Sequence, residues 1–140
     1  MILVELCFDF VEFGLVAKRA MRLSDDLIEL ELEKLTKIIY AADKLDEKHL
    51  WQNLYNACYN GRRTGIGTHG LADVLACLKM PYDSPQALMT IDKIYQTLKE
   101  SAYSESCALA VERGSFPVFN WELEKDNEFI KSLPTELQLA

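Results

Sequence analysis

Ser84-Pro85 opens, and Arg113-Gly114 closes, the longest uninterrupted helical signal in this chain. Serine is a good N-cap because its hydroxyl accepts from an early amide that has no helical partner. Proline suits the first helical position, where its missing N–H would be unpaired anyway and its φ is already helical. Glycine after a basic last turn supplies a left-handed stop. Between these signals Leu88, Ile91, Tyr95, Leu98, Ala102 and Leu109 recur at helical spacing and mark the expected buried stripe. At about 1.5 Å per residue the rod spans roughly 40 Å. That is long for a domain of 140 residues.

The rest of the chain reads as further helices around that rod. Asp9-Phe10-Val11-Glu12 is a capping box, and Phe8 and Phe13 are placed as a hydrophobic staple across it. Val16, Ala20, Leu23, Leu27 and Leu30 follow at helical spacing. The stretch DDLIELELEKLTKII alternates like a strand, yet Ile28, Leu32, Leu35 and Ile39 also share a helical face. Leu, Glu and Lys favour helix, and Glu33 and Lys37 form an i,i+4 pair, so helix is the reading. The shift of stripe between Leu27 and Leu32 predicts a bend there or a wide buried face. A helix from about Asp46 to Tyr59 carries Leu50, Trp51, Leu54, Tyr55 and Cys58, and Asn60-Gly61 should end it because both tolerate positive φ. Leu71, Val74, Leu75 and Leu78 define a short helix that stops near Met80-Pro81. SFPVFN reads as extended, and the tail from Trp121 as a weak helix that frays after about residue 131.

Composition excludes several classes. The formal net charge is −7, and no basic run is longer than a pair such as Arg62-Arg63. A protein that tracks phosphates shows a basic face, so nucleic acid and anionic membranes are not expected partners. MILVELCFDFVEF lacks the basic start of a signal peptide. No apolar run approaches the roughly 20 residues of a membrane span, and a soluble cytoplasmic protein is expected. Cys7, Cys58, Cys77 and Cys107 are too widely spaced for a zinc or redox motif and read as buried free thiols.

Few motifs suggest chemistry. Gly65-Ile66-Gly67-Thr68-His69-Gly70 is a literal G-x-G-x-x-G. A dinucleotide fold, however, needs a strand leading into the glycines and an acid ending a second strand about 20 residues on. Here a helix and Gly-Arg-Arg precede it, and Asp83 lies in a turn. Glycines that let the backbone pass close to a neighbour are the better account. A nucleotide-binding reading would require saturable binding of a nicotinamide cofactor. Arg62 and Arg63 are candidates to clamp a phosphate or carboxylate, or more simply to pair with this protein's own acids. His69, at a helix start, is a candidate donor to a ligand. Asp25, Asp26, Glu29, Glu31 and Glu33 read as a solvated acidic face, because neither His49 nor His69 completes the Glu-x-x-His motif of a di-metal bundle. No metal ligands and no catalytic set emerge.

Longer stretches carry a resemblance. NGRRTGIGTHGLADVLACLKMPYDS and ERGSFPVF resemble, in order, two motifs of the ribonucleotide reductase large chain. FDFVEFGLVAKRAMRLSDD, DDLIELELEKLTKII and DNEFI are similar to its adenosylcobalamin-dependent branch, so the likeness covers most of the chain. The resemblance implies radical reduction of ribonucleotides in a ten-stranded α/β barrel. It places the finger-loop cysteine before residue 1 and the P-T-G-T phosphate loop after residue 140; Pro134-Thr135-Glu136 is not that loop. No catalytic or cofactor-binding residue carries over, and adenosylcobalamin is implied for the parent enzyme only. The expected architecture is a mainly α fragment, one domain over residues 1–140. It has about four to five helices from outside the barrel and at most one short strand, near residues 64–68. The fragment is expected to be inactive alone, with the remainder of the barrel or a second copy as partner. A free-standing helical interaction module derived from the reductase is the alternative.

Overall fold

The structure is a computed structural model that describes residues 7–138. The N-terminal residues 1–6, which bear on the signal-peptide reading, lie outside the described residues, as do 139–140. Among the described residues seven helices follow in chain order: α1 (Phe10–Ala41), α2 (Leu45–Gly61), α3 (Leu71–Cys77), α4 (Pro85–Arg113), α5 (Trp121–Glu124), α6 (Glu128–Lys131) and α7 (Thr135–Gln138). There is no strand among the described residues. The long helices α1 and α4 pack on each other, α2 packs on α1, and α7 closes on α4.

The capping signals hold. Asp9 accepts from the amides of Val11 and Glu12, and the Phe8 and Phe13 rings meet edge-on at 5.3 Å. Ser84 accepts from the Ala87 amide with Pro85 in the first turn. Gly114 ends α4 at φ 88. The ambiguous alternating stretch is helix, continuous with what precedes it, and Glu33 and Lys37 are joined as an ion pair.

The end of α2 differs from expectation. Asn60 and Gly61 remain helical, and the left-handed residue is Arg62 at φ 40. Positive φ costs a non-glycine residue roughly 1 kcal/mol. The arginine side chain reaches two carboxylates of α1 from that conformation, which offsets the strain.

Burial agrees at Ile28, Leu32 and Leu35 of α1 and at Leu109 of α4, and elsewhere in both long helices the covered position often lies one residue from the one expected. The expected α1 positions Val16, Leu23, Leu27 and Leu30 are exposed; Gly14, Ala17, Asp25, Ile28, Leu32 and Leu35 are buried. In α4, Leu88 and Tyr95 are exposed, while Ala87, Ile94 and Leu109 are buried. A one-residue offset turns the face by about 100°. Small residues explain the choice. A Cβ on Gly14 would lie 2.9 Å from the Ser101 hydroxyl of α4, so the two rods approach where side chains are least bulky. Leu75 of α3, 1% exposed, is the most completely enclosed large side chain.

Past residue 131 the chain turns back through Leu133, which is buried, into α7. The Gln138 side chain donates to the carbonyls of Lys131 and Leu133.

Candidate functional site

The densest polar arrangement joins three helices. Asp25, in the middle of α1 and only 8% exposed, accepts from two arginines. Its Oδ1 takes Arg62 Nη2 at 2.7 Å and Nε at 3.0 Å, and its Oδ2 takes Arg113 Nη1 at 2.5 Å. Arg62 also reaches Glu29, and Arg113 reaches Asp26 at 2.8 Å. One helical turn earlier, Arg22 bonds Glu112 through both terminal nitrogens and Glu105 through Nε. The acids therefore do not form one solvated face. Asp25 is turned inward because α2 and α4 each end in an arginine beside it.

Charge is matched inside this cluster. Partial burial acts to lower the pKa of Arg62, but hydrogen bonds to Asp25 and Glu29 outweigh it and hold the value above its ordinary level. Bonds to Asp26 and Asp25 raise Arg113, and bonds to Glu112 and Glu105 raise Arg22. The Arg22 bond also holds the Glu112 carboxyl below the usual range.

Beside the cluster lies a cleft of about 530 Å³ between α4 and the segments that follow Gly114. Tyr103, Phe116, Phe119, Trp121, Ile130 and Leu133 wall it, and Asp25, Arg62 and Arg113 border one side. Burial, with Glu124 nearby, pushes the Tyr103 hydroxyl up. No buried side-chain nitrogen or oxygen among the described residues lacks a hydrogen-bond partner. The cleft is therefore a largely apolar recess beside a saturated ion-pair network.

The three candidate contact residues do not converge on one site. Arg62 is occupied by Asp25 and Glu29. Arg63, just before the glycine stretch, and His69, within it, are exposed, and neither lines the cleft. That stretch follows a helix and precedes a helix of 7 residues, so the strand–turn–helix of a dinucleotide site is absent. The cysteines depart from the expected burial: Cys7 and Cys77 are exposed, Cys58 and Cys107 half-buried. Burial, aided by Glu31, raises the Cys58 thiol. No group of three or more His, Cys, Asp and Glu side chains placed to hold a metal ion occurs among the described residues. No described helix is long and apolar enough to cross a membrane. Asp25 as a hub escaped the sequence reading. The signal that could have found it was a lone acid on an otherwise apolar stripe with arginines at two helix ends.

Comparison with known proteins adds what the geometry lacks. The family described as the ribonucleotide reductase barrel domain matches residues 2–133. A vitamin B12-dependent ribonucleoside-diphosphate reductase of Mycobacterium tuberculosis is 31% identical over 119 residues, 85% of this chain and 14% of that protein. The enzyme of the same name from Thermoplasma acidophilum is 39% identical over 66 residues, 45% of this chain and 9% of its own length. The ribonucleoside-diphosphate reductase large subunit of African swine fever virus is 47% identical over 58 residues, 41% of this chain and 8% of its own length. No solved structure matches. The chain thus spans about 14% of the mycobacterial relative's length. Two of these names raise the question of a corrinoid, and the described residues do not fit one. The cleft is smaller than a corrinoid with its nucleotide arm, and no buried polar group is left to receive it. With the barrel-domain match running across nearly all of its residues, the chain belongs to the ribonucleotide reductase family and carries a stretch of that family's barrel domain.

Proposed function

We propose that this chain is a structural piece of a cobalamin-dependent ribonucleotide reductase, supplying helices to the outside of the barrel and inactive alone. The match of the barrel domain across residues 2–133 carries the reading. The cofactor class follows the vitamin B12-dependent relatives. The remainder of the barrel is the partner. Apolar side chains left exposed on α1 and α4, such as Leu23, Leu27, Leu30, Leu88 and Met89, support it. Large apolar residues clustered on helix faces mark surfaces that something else covers. The cytoplasm is the proposed setting, consistent with four free cysteines.

The folded chain, supplied with a ribonucleoside diphosphate, adenosylcobalamin and a dithiol, is expected to form deoxynucleotide no faster than the protein-free mixture. Clear turnover overturns the inactive assignment.

A free-standing interaction module is the second reading. The observation favouring it is a core that closes within the chain, with Ala87 0% and Ile94 3% exposed. The DNA around the reading frame separates the two. An in-frame finger loop upstream and P-T-G-T downstream identify a piece of a longer enzyme; a ribosome-binding site and a true stop favour the module.

A further inference from the structure

Two of the stretches that carry the family likeness each place an arginine at the end of a helix. Arg62 of NGRRTGIGTHG caps α2, and Arg113 of ERGSFPVF is the last residue of α4. A third stretch, FDFVEFGLVAKRAMRLSDD, contains Asp25. In the fold the three meet at one carboxylate. Asp25 gives one oxygen to each helix end: Oδ1 accepts from Nε and Nη2 of Arg62, and Oδ2 accepts from Nη1 of Arg113. Glu29 and Asp26, also on α1, take a further N–H of each guanidinium.

Both exits need a hold. Arg62 sits at φ 40, while Gly61 beside it, which could take that turn without strain, stays helical. A left-handed residue other than glycine persists where its surroundings fix it. Beyond Arg62, residues 63–69 make no main-chain hydrogen bond among the described residues. Side chains meet the core at two points: the Thr64 hydroxyl with the Met21 sulfur at 3.6 Å, and the Thr68 hydroxyl with Tyr95 Oη at 3.0 Å. After Arg113 the chain turns at Gly114, and the Val118 amide donates to the Asn60 carbonyl of α2 at 3.4 Å. The second exit thus touches the root of the first. An enclosed ion pair adds little net stability over apolar packing, because desolvation offsets the attraction. What it adds is direction, since a planar guanidinium fork fixes how the carboxylate is approached.

We infer that Asp25 is a positioning residue. Through Arg62 and Arg113 it sets the courses on which the chain leaves α2 and α4. Residues 63–69 then reach the rest of the barrel already aligned, a consequence that rests on the remainder of the barrel being the partner. Alignment before pairing lowers the ordering cost of assembly.

The test is amide relaxation and NOE spectroscopy on the full chain and three variants. Arg62→Gly keeps the left-handed turn and removes the clamp. Order parameters over residues 63–69 are expected to fall from about 0.85 to below about 0.6. The Thr68–Tyr95 NOE should vanish while Gly14–Ser101 proximity stays. Arg113→Gln should loosen residues 115–119 and leave 63–69 ordered. Asp25→Asn keeps the shape but loses the charge and one acceptor, and it should loosen both exits. Order over 63–69 that survives in Arg62→Gly overturns the proposal, because the two threonine contacts then suffice. So does loosening that spreads through α1 and α4 in the arginine variants, which marks a pair that only stabilises. If Asp25→Asn fails to fold, the two arginine variants decide. Turnover in the reductase assay would overturn the inactive assignment and leave these order parameters unchanged, so the two failures are distinct.

Discussion

Asp25 does at the scale of one side chain what no other residue here does. It is a carboxylate with little exposure, and its two oxygens serve guanidinium groups from two different helices. Burying a carboxylate is unfavourable unless its oxygens are bonded and its charge balanced. Both conditions are met, and every buried polar side-chain atom among the described residues is paired. Asp25→Ala removes the acceptor while leaving Arg62, 18% exposed, beside Glu29 alone. The expected loss is about 2 kcal/mol, below the usual cost of breaking a fully buried pair because water still reaches the arginine. A urea titration checks this through its midpoint, and a midpoint equal to the parent's would remove Asp25 from its role as hub.

Between elements, the contact of α1 with α4 depends on size more than on hydrophobicity. Gly14 faces Ser101 and the Thr97 methyl group, and Ala17, one turn further along α1, is buried too. Gly14→Ala is expected to be close to neutral. Helix propensity gains up to about 1 kcal/mol, which offsets the shift Ser101 must make. Gly14→Leu cannot be absorbed in this way and is expected to cost about 2 kcal/mol by overpacking. Thermal melts of the two variants should therefore diverge; equal melting temperatures would mean that the rods do not meet at Gly14. The same scale shows how far sequence carried. Both ends of α4 and the start of α1 were legible, because caps are local chemistry between residues three or four apart. The buried stripes were legible in part: Ile28, Leu32, Leu35 and Leu109 were named and are buried, but a search for bulky apolar residues passes over Gly14, Ala17 and Ala87. The end of α2 was misplaced for a related reason: Asn60 and Gly61 have the better local preference, and the carboxylates that hold Arg62 are supplied by another helix.

Across the whole molecule, acid is the condition that tests the electrostatics. The Arg22 bond lowers Glu112, and the Lys37 bond lowers Glu33, both from an ordinary value of 4.5. A carboxyl depressed in the folded state stabilises the fold above its unfolded pKa and loses that contribution as pH falls through the folded one. The raised arginines stay protonated throughout and add no slope. The melting temperature is expected to fall as pH drops from about 5 to about 3. In Arg22→Gln the fall should be shallower, since Glu112 loses the partner that depresses it. A melting temperature that is flat or rises over that interval contradicts this account.

The helical character of the chain, its capped helix boundaries and its family likeness were all written in residues near one another along the chain. Capping, turn preference and motif spacing act over a few residues, so they survive without knowledge of the fold. Which face each rod buries, which acid goes inside and which residue takes the left-handed turn depend on partners far apart: Gly14 with Ser101, Asp25 with Arg62 and Arg113. The glycine stretch shows both. Its sequence excluded a dinucleotide loop, and its resemblance implied a strand. Packing then left it extended and unpaired, because no other segment among the described residues runs beside it to complete a ladder.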